Sequence, residues 1–169
     1  MKLASTRLTL HPVSVSELQV FHDLLTDPFI RKYLCDDQVF SVERSRDFIL
    51  ESQQTFKERR LGLWLLRNTE QTVIGFAGLK SFFEESQPQL LYALLPDYTG
   101  QGLALEAAAA IVRYCFEELG FDYLEASCDI PNLPSQRVAE RIGMKKVEER
   151  TVDDKSLAFY RIENEKRGK

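Results

Sequence analysis

The sequence contains few cysteines and histidines, the residues that mark disulfide-rich and metal-binding proteins. The 169 residues include only three cysteines, Cys35, Cys115 and Cys128, and two histidines. An odd number of widely spaced cysteines disfavours a disulfide framework or a zinc site built on CxxC pairs, and it suits a reducing compartment such as the cytoplasm. No partner spacing around His11 or His22 suggests a metal ligand set, so we expect no metal site.

Long apolar runs and long runs of one charge are also missing. No stretch approaches the roughly 18 apolar residues that a membrane-spanning helix needs, and the first residues, MKLASTRLTLHP, contain no apolar core of a signal peptide. The 22 basic and 26 acidic residues give a net charge of -4 without a basic stripe. We therefore expect no membrane segment, no secretion and no nucleic-acid partner.

The composition that remains is typical of an ordinary globular protein. Hydrophobic residues make up 44% of the chain, which is enough for one sizeable core. A chain of 169 residues is short for two domains that each bury a core of their own. We expect one domain over residues 1–169.

Hydrophobic periodicity predicts helices that alternate with the strands of one sheet. The strands are predicted at 8–12, 61–67, 72–83, 89–95, Tyr123–Asp129, 145–150 and 156–162, and the helices at 14–25, at 28–34, at Val42–Arg59, at 103–119 and at 134–142. Because a helix lies between two strands in the middle of the chain, the fold class is α/β or α+β with a mixed sheet.

The segment LLPDYTGQGLALEAA, residues 94–108, connects a strand to an alanine-rich helix through two glycines. Gly100 and Gly102 could simply supply left-handed turn conformations. Alternatively, their uncovered amides at the positive end of the helix dipole suit a pyrophosphate. A dinucleotide fingerprint would need a small residue in place of Leu105, and a Walker loop would need Lys-Ser/Thr after Gly102. Both of those phosphate motifs are excluded.

The glycine segment resembles motif A of the GNAT superfamily of N-acetyltransferases, whose pattern Q/R-x-x-G-x-G/A falls on residues 99–104, with Thr99 as a departure at the first position. Further along, Asp129, Asn132 and Ser135 match a D-x-x-N-x-x-S pattern, followed by RVAE and Gly143-Met144. This second segment is similar to the RimJ/RimL-like branch, which acetylates the N-termini of ribosomal proteins. The resemblance implies a mostly antiparallel, twisted sheet flanked by helices, and transfer of an acetyl group from acetyl-CoA to an amine.

The resemblance also implies where coenzyme A binds. The pyrophosphate would lie against the backbone of the motif A residues, which are Thr99, Gly100, Gln101, Gly102, Leu103 and Ala104. The preceding strand would pair its edge with the pantetheine arm, as a peptide adds to a sheet. A backbone N–H near Leu94 or Leu95 would then polarise the thioester carbonyl.

Two polar residues after the Tyr123–Asp129 strand each have a structural and a functional interpretation. Asn132 is either an N-cap or a hydrogen-bond partner of the pantetheine arm, and Ser135 is either a capping serine or the hydroxyl that stabilises the departing thiolate. Many GNAT enzymes carry a proton-donating tyrosine where this chain has Ala139. Cys128 follows Ala126 on an apolar alternation, so we expect it to pack in the core rather than to act as a nucleophile.

The general base and the acceptor site are less well defined by the sequence. Related enzymes have a glutamate where this chain has Gln89, which cannot accept a proton. The candidate bases are therefore Glu84 and Glu85, directly or through water, although paired acidic residues between strands also fit a solvated loop.

The amine acceptor, a protein N-terminus or a small molecule, would bind the N-terminal half near Tyr33, Asp36 and Asp37, although those aspartates also fit a solvated turn. We expect direct transfer in a ternary complex by a monomer or homodimer. The alternative is a coenzyme A binding module that has lost catalysis.

Overall fold

The computed structural model of the chain describes residues 1–82 and 87–166, and an eight-stranded sheet forms the centre of the fold. The strands are β1 (Leu3–Ala4), β2 (Thr9–Pro12), β3 (Leu63–Arg67), β4 (Val73–Lys80), β5 (Gln89–Leu94), β6 (Tyr123–Asp129), β7 (Lys145–Val152) and β8 (Lys155–Glu163). The α-helices are α1 (Leu18–Thr26), α2 (Pro28–Leu34), α3 (Val42–Arg59), α4 (Leu103–Glu117) and α5 (Leu133–Arg141). Short 3-10 helices lie at Val15–Glu17 and Pro96–Tyr98.

The strand order across the sheet is β1-β2-β3-β4-β5-β6-β8-β7. Neighbouring strands are antiparallel except β5 and β6, which are parallel and are connected by α4. A parallel pair requires a crossover of this kind because its two strands run in the same direction. The predicted mixed, mostly antiparallel sheet flanked by helices is confirmed.

Alternating residues of β3 show how the sheet separates two hydrophobic clusters. Leu63 and Leu65 pack with α1 and α2 on one side, and Trp64 and Leu66 belong to the cluster that contains α4. All four are at most 5% exposed, and burying a side chain of this size contributes about 1.5–3 kcal/mol. Because successive side chains of β3 point to opposite faces of the sheet, this one strand packs against helices on both faces.

The start of α4 is tied to the N-terminal part of the chain through Glu106. Its Oε1 accepts hydrogen bonds from Ser5 Oγ (2.7 Å) and from the Arg7 amide (2.5 Å), and its Oε2 accepts one from Arg7 Nε (2.9 Å). Burial alone would raise the pKa of the Glu106 carboxyl, but these hydrogen bonds outweigh it and hold the pKa below its ordinary value. The glycine segment is thus braced by a carboxylate one turn into the helix.

Most of the predicted elements are confirmed within one to three residues. The hairpin turn between β7 and β8 lies at Asp153 and Asp154, both with positive φ, as the sequence indicates. Strand β1 was not predicted, since two residues carry no periodicity.

Strand β7 forms one edge of the sheet, and its exposed charged residues disfavour edge-to-edge pairing. Whether the chain is a monomer or a homodimer stays a prediction.

Within residues 1–82 and 87–166, no helix combines the length and the apolar character needed to cross a bilayer.

The Glu106 hydrogen bonds predict a specific acid sensitivity. Because the folded-state pKa lies below the unfolded value, this stabilisation is complete above the unfolded pKa, near 4.5, and is lost as pH falls through the folded pKa. Glu106→Gln should lower the free energy of unfolding at pH 7 by about 1–3 kcal/mol and flatten its decline below pH 5. Urea unfolding from pH 3 to 7 measures the free energy of unfolding and its pH dependence. The control is Glu117→Gln, because Glu117 forms an exposed ion pair with Lys166. Equal effects of the two variants would contradict this role.

Candidate functional site

The site is built around the divergence of β5 and β6. Their parallel register is formed at a single described position, Gln89 opposite Glu125. At the same place the Ser127 hydroxyl donates a hydrogen bond to Gln89 Oε1 (2.6 Å) across the two strands. Toward Leu94 and Asp129 the strands separate, and the gap between them opens into a cleft of about 680 Å³.

Backbone alternation determines which groups of β5 face this cleft. The Leu95 amide donates to Ile74 O (2.9 Å) on the β4 side. Since successive residues of a strand direct their backbone groups to opposite edges, the polar backbone groups of Tyr92 and Leu94 face β6 and the gap. The expectation that the Leu95 amide could polarise a thioester is therefore wrong, because that amide is already paired. Leu94 remains the candidate.

The glycine segment forms the end of the cleft at the start of α4. Gly100 and Gly102 adopt left-handed conformations, with φ of 74° and 77°. A Cβ on Gly100 would meet no atom within 4 Å, and one on Gly102 would lie 3.5 Å from Arg7 Nη2. The surface over both glycines is therefore open toward solvent and the cleft.

The first turn of α4 adds unused donors to this open surface. The Glu106 amide donates a hydrogen bond to Gly102 O (3.0 Å). Within the described residues, the amides of 103–105 have no backbone acceptor, which is usual for the first turn of a helix. Thr99, Gly100, Gly102, Leu103 and Ala104 line the cleft, whereas the Gln101 side chain donates to Asp97 O (3.1 Å). This arrangement of amides fits a pyrophosphate.

The start of α5 forms the opposite wall. Asn132 is the N-cap, since its Oδ1 accepts from the Ser135 amide (3.4 Å), and it also lines the cleft with two amide hydrogens to offer a ligand. The Ser135 hydroxyl donates to the Tyr92 hydroxyl (3.4 Å), and Tyr92 donates in turn to Ser135 O (2.8 Å). Both Asn132 and Ser135 therefore combine a structural role with access to the cleft.

Cys128 lies beside these residues and lines the cleft while also packing against the core. The expectation that it is a core residue is thus correct only in part. Burial raises the pKa of the Cys128 thiol to about 11, although a hydrogen bond with the Ser135 hydroxyl acts in the opposite direction. A thiol with this pKa is protonated near neutral pH and is a poor nucleophile.

The position that would carry a base on β5 is occupied by Gln89, which is 1% exposed and bonded by Ser127 as described above. It acts as a cross-link between the strands. Glu84 and Glu85 lie outside the described residues, so their assignment as candidate bases stays a prediction.

Tyr33 and Asp36, from the α2 region, line the cleft, and their role in binding an acceptor amine stays a prediction. Asp36 pairs with Lys155, whose Nζ also lies 3.3 Å from Asp129 Oδ2, so one lysine offsets part of the charge of two carboxylates. Asp37 is 66% exposed and pairs with Arg31 Nε (2.9 Å). Each aspartate therefore has a cationic partner, as a solvated turn would also allow, and attraction of a cationic amine by Asp36 and Asp37 stays a prediction.

Sequence reasoning missed Tyr92 and Lys155. The resemblance assigns the strand that contains Tyr92 a role only through its backbone, and Lys155 reaches the cleft from the β8 side of the tail hairpin. The strand alternation of β5 could have indicated Tyr92, whereas nothing local to Lys155 indicates its partners Asp36 and Asp129. Among the described residues, His, Cys, Asp and Glu side chains form no group of three or more that could hold a metal ion.

Residues 7–145 match the family model of the acetyltransferase (GNAT) domain, which is well over half of the chain. The protein belongs to the GNAT family of acetyltransferases, and it is an acyltransferase on that basis.

Relatives and solved structures agree with this family. The chain is 27% identical over 146 residues to the uncharacterized N-acetyltransferase YnaD of Bacillus subtilis (strain 168), covering 86% of this chain and 84% of the relative. A GNAT-family acetyltransferase from Bacillus anthracis has the same fold, with a TM-score of 0.82 and 24% identity over 98% of this chain and 99% of that one.

The ribosomal alpha-N-protein acetyltransferase RimL, solved in complex with coenzyme A, also shares the fold. Its TM-score is 0.82, with 17% identity over 96% of this chain and 98% of that one.

The raised pKa of Cys128 predicts that this thiol stays unreactive during turnover. Its alkylation by iodoacetamide should be slow at pH 7 and accelerate as pH approaches 11, because only the thiolate reacts. Mass spectrometry of the Cys128 peptide measures the rate, and Cys128→Ala should retain transferase activity. Trapping an acetyl group on Cys128 after mixing with acetyl-CoA would contradict this prediction.

Proposed function

We propose that the protein, as a single domain over residues 1–169, is an acetyl-CoA-dependent N-acetyltransferase of the cytoplasm that acetylates a primary amine directly in a ternary complex. The observation that carries the proposal is the position of the open Gly100–Gly102 segment at one end of the β5–β6 gap. One cleft thereby contains both the amide donors that suit a pyrophosphate and the free strand edge that suits the amide-rich pantetheine arm. Three free cysteines support the reducing location.

The residues of this chain fit coenzyme A in two stretches. The amides of 102–105 would hold the pyrophosphate at the positive end of the α4 dipole. The backbone of Tyr92 and Leu94, together with the Asn132 side chain, would bond the amides of the pantetheine arm, as a β-strand bonds an added peptide. Bound there, acetyl-CoA supplies an acetyl group activated as a thioester.

Two groups of the chain would stabilise charge during transfer. The Leu94 N–H faces the gap and can donate to an oxygen that becomes negative at that edge. The Ser135 hydroxyl, on the facing helix α5, can donate to the sulfur that leaves as a thiolate. Since a hydroxyl is a weak acid near pH 7, final protonation of the thiolate falls to water.

The acceptor amine would enter near Tyr33 and Asp36, where Lys155 bridges to Asp129. A protein N-terminus is supported by the shared fold with RimL, and a small amine fits the same cleft. The amine must lose a proton before it attacks, and Glu84 or Glu85 remains our proposed base, directly or through water.

A free-thiol assay tests this function. Acetyl-CoA is mixed with panels of peptide N-termini and small amines, and release of the coenzyme A thiol is followed with a chromogenic disulfide. We expect amine-dependent thiol release, reduced by about tenfold or more in Ser135→Ala because a donor to the thiolate is lost. Binding of coenzyme A without thiol release for any amine would instead indicate a catalytically inactive binding module.

The variant Gly102→Trp separates binding from chemistry. An indole at this position would cover the amides of the first turn of α4, so coenzyme A affinity measured by calorimetry should fall at least about tenfold. Gly143→Ala serves as the control, since Gly143 also has a positive φ (98°) and a Cβ there would make only an ordinary 3.5 Å contact with Ile162. Unchanged affinity in Gly102→Trp would refute the pyrophosphate assignment.

A further inference from the structure

Tyr92 makes a contact across the cleft that the proposed function does not use. Its side chain extends from β5 to the first turn of α5, where its hydroxyl donates to Ser135 O at 2.8 Å. The same hydroxyl lies 3.4 Å from Ser135 Oγ and interacts with the backbone amide of Ala139. The tyrosine thus connects the strand that would hold the donor to the helix that carries Ser135.

The number of hydrogens on these two hydroxyls defines how they can be arranged. A phenol has one hydrogen, and while that hydrogen is donated to Ser135 O, the Tyr92 oxygen accepts from the Ser135 hydroxyl. Burial raises the pKa of the Tyr92 phenol above its usual value, so it stays protonated at neutral pH. The oxygen of Ser135, a residue that lines the cleft, is thereby held beside the Tyr92 hydroxyl, with the Cys128 thiol as another side-chain neighbour.

The bond from Ser135 to Tyr92 is long, and a hydroxyl hydrogen can turn without movement of heavy atoms. A thiolate in the cleft would attract this hydrogen more strongly than a neutral phenol does, because bonds to ionised acceptors are about twice as strong. The Tyr92 hydroxyl can then turn toward Ser135 Oγ, and a donor to Ser135 strengthens the bond that Ser135 makes. No proton needs to be transferred between the two side chains.

We propose that Tyr92 is a positioning residue that acts through Ser135, fixing its hydroxyl at the gap and supporting its hydrogen bond to the departing thiolate of coenzyme A. This inference rests on the proposed function. It assigns the stabilisation of the leaving group to a pair of hydroxyls, one from β5 and one from α5, instead of to Ser135 alone.

A double-mutant cycle tests the proposal through turnover. Tyr92→Phe keeps the ring against the core but removes the hydroxyl, so kcat should fall about tenfold while KM for acetyl-CoA changes less than about twofold. Because Tyr92 acts through Ser135, the double variant Tyr92→Phe with Ser135→Ala should have the kcat of Ser135→Ala alone. Multiplicative losses in the double variant would overturn the proposal.

Tyr160 provides a matched control for this cycle. It also reaches α5 from the sheet, and its hydroxyl donates to Gln136 Oε1 (2.9 Å) rather than to Ser135. Tyr160→Phe should therefore combine multiplicatively with Ser135→Ala, whatever its own effect. If Tyr160→Phe showed the same dependence on Ser135 as Tyr92→Phe, the coupling would reflect the general seating of α5 and the proposal would be wrong.

The thiol of bound coenzyme A gives a readout that does not need turnover. Its pKa can be followed by the ultraviolet absorbance of the thiolate, and we expect this pKa to rise by a similar amount in Tyr92→Phe, in Ser135→Ala and in the double variant. A rise in Ser135→Ala with no rise in Tyr92→Phe would overturn the role of Tyr92 while leaving the proposed function intact. Failure of the wild-type protein to bind coenzyme A would overturn the proposed function as well.

Discussion

The divergence of β5 and β6 is the constraint on which the candidate site depends. Two parallel strands that paired along their whole length would leave no free strand edge in the middle of the sheet. Here the pair is closed at Gln89 and Glu125, reinforced by the bond from Ser127 to Gln89, and opens beyond that point. The sheet is therefore continuous on one side of this point and has a free strand edge on the other, where the proposed function places the pantetheine arm.

The parts of the site are held at this gap by contacts that come from distant segments of the chain. Glu106 fixes the start of α4 to Ser5 and Arg7, and Tyr92 connects β5 to the start of α5. The amides of the glycine segment and the hydroxyl of Ser135 are thus presented from rigid helix starts. In the proposed function, fixed donors of this kind would favour catalysis because they need little reorganisation when charge develops.

Local patterns predicted most helices and strands, a mixed sheet and the glycine turn, because helix period, strand period and left-handed glycines are properties of neighbouring residues. The mostly antiparallel sheet and the proposed roles of Asn132 and Ser135 followed from the resemblance to the GNAT superfamily. The pairing of the Leu95 amide, the ion pair of Asp36 with Lys155 and the contact of Tyr92 with Ser135 depend on how strands and helices meet in space. Tyr92 and Ser135 are 43 positions apart, and Asp36 and Lys155 are 119 positions apart. A single sequence contains no local pattern that indicates contacts over such separations.

The most direct test of the coenzyme A site is amide hydrogen exchange with and without coenzyme A. Our account predicts that the ligand slows exchange at Tyr92 and Leu94 and at the amides of 102–105, while the Leu95 amide, already bonded to Ile74, changes little. Protection confined to other parts of the chain, with these amides unaffected, would contradict the placement of coenzyme A in the gap between β5 and β6.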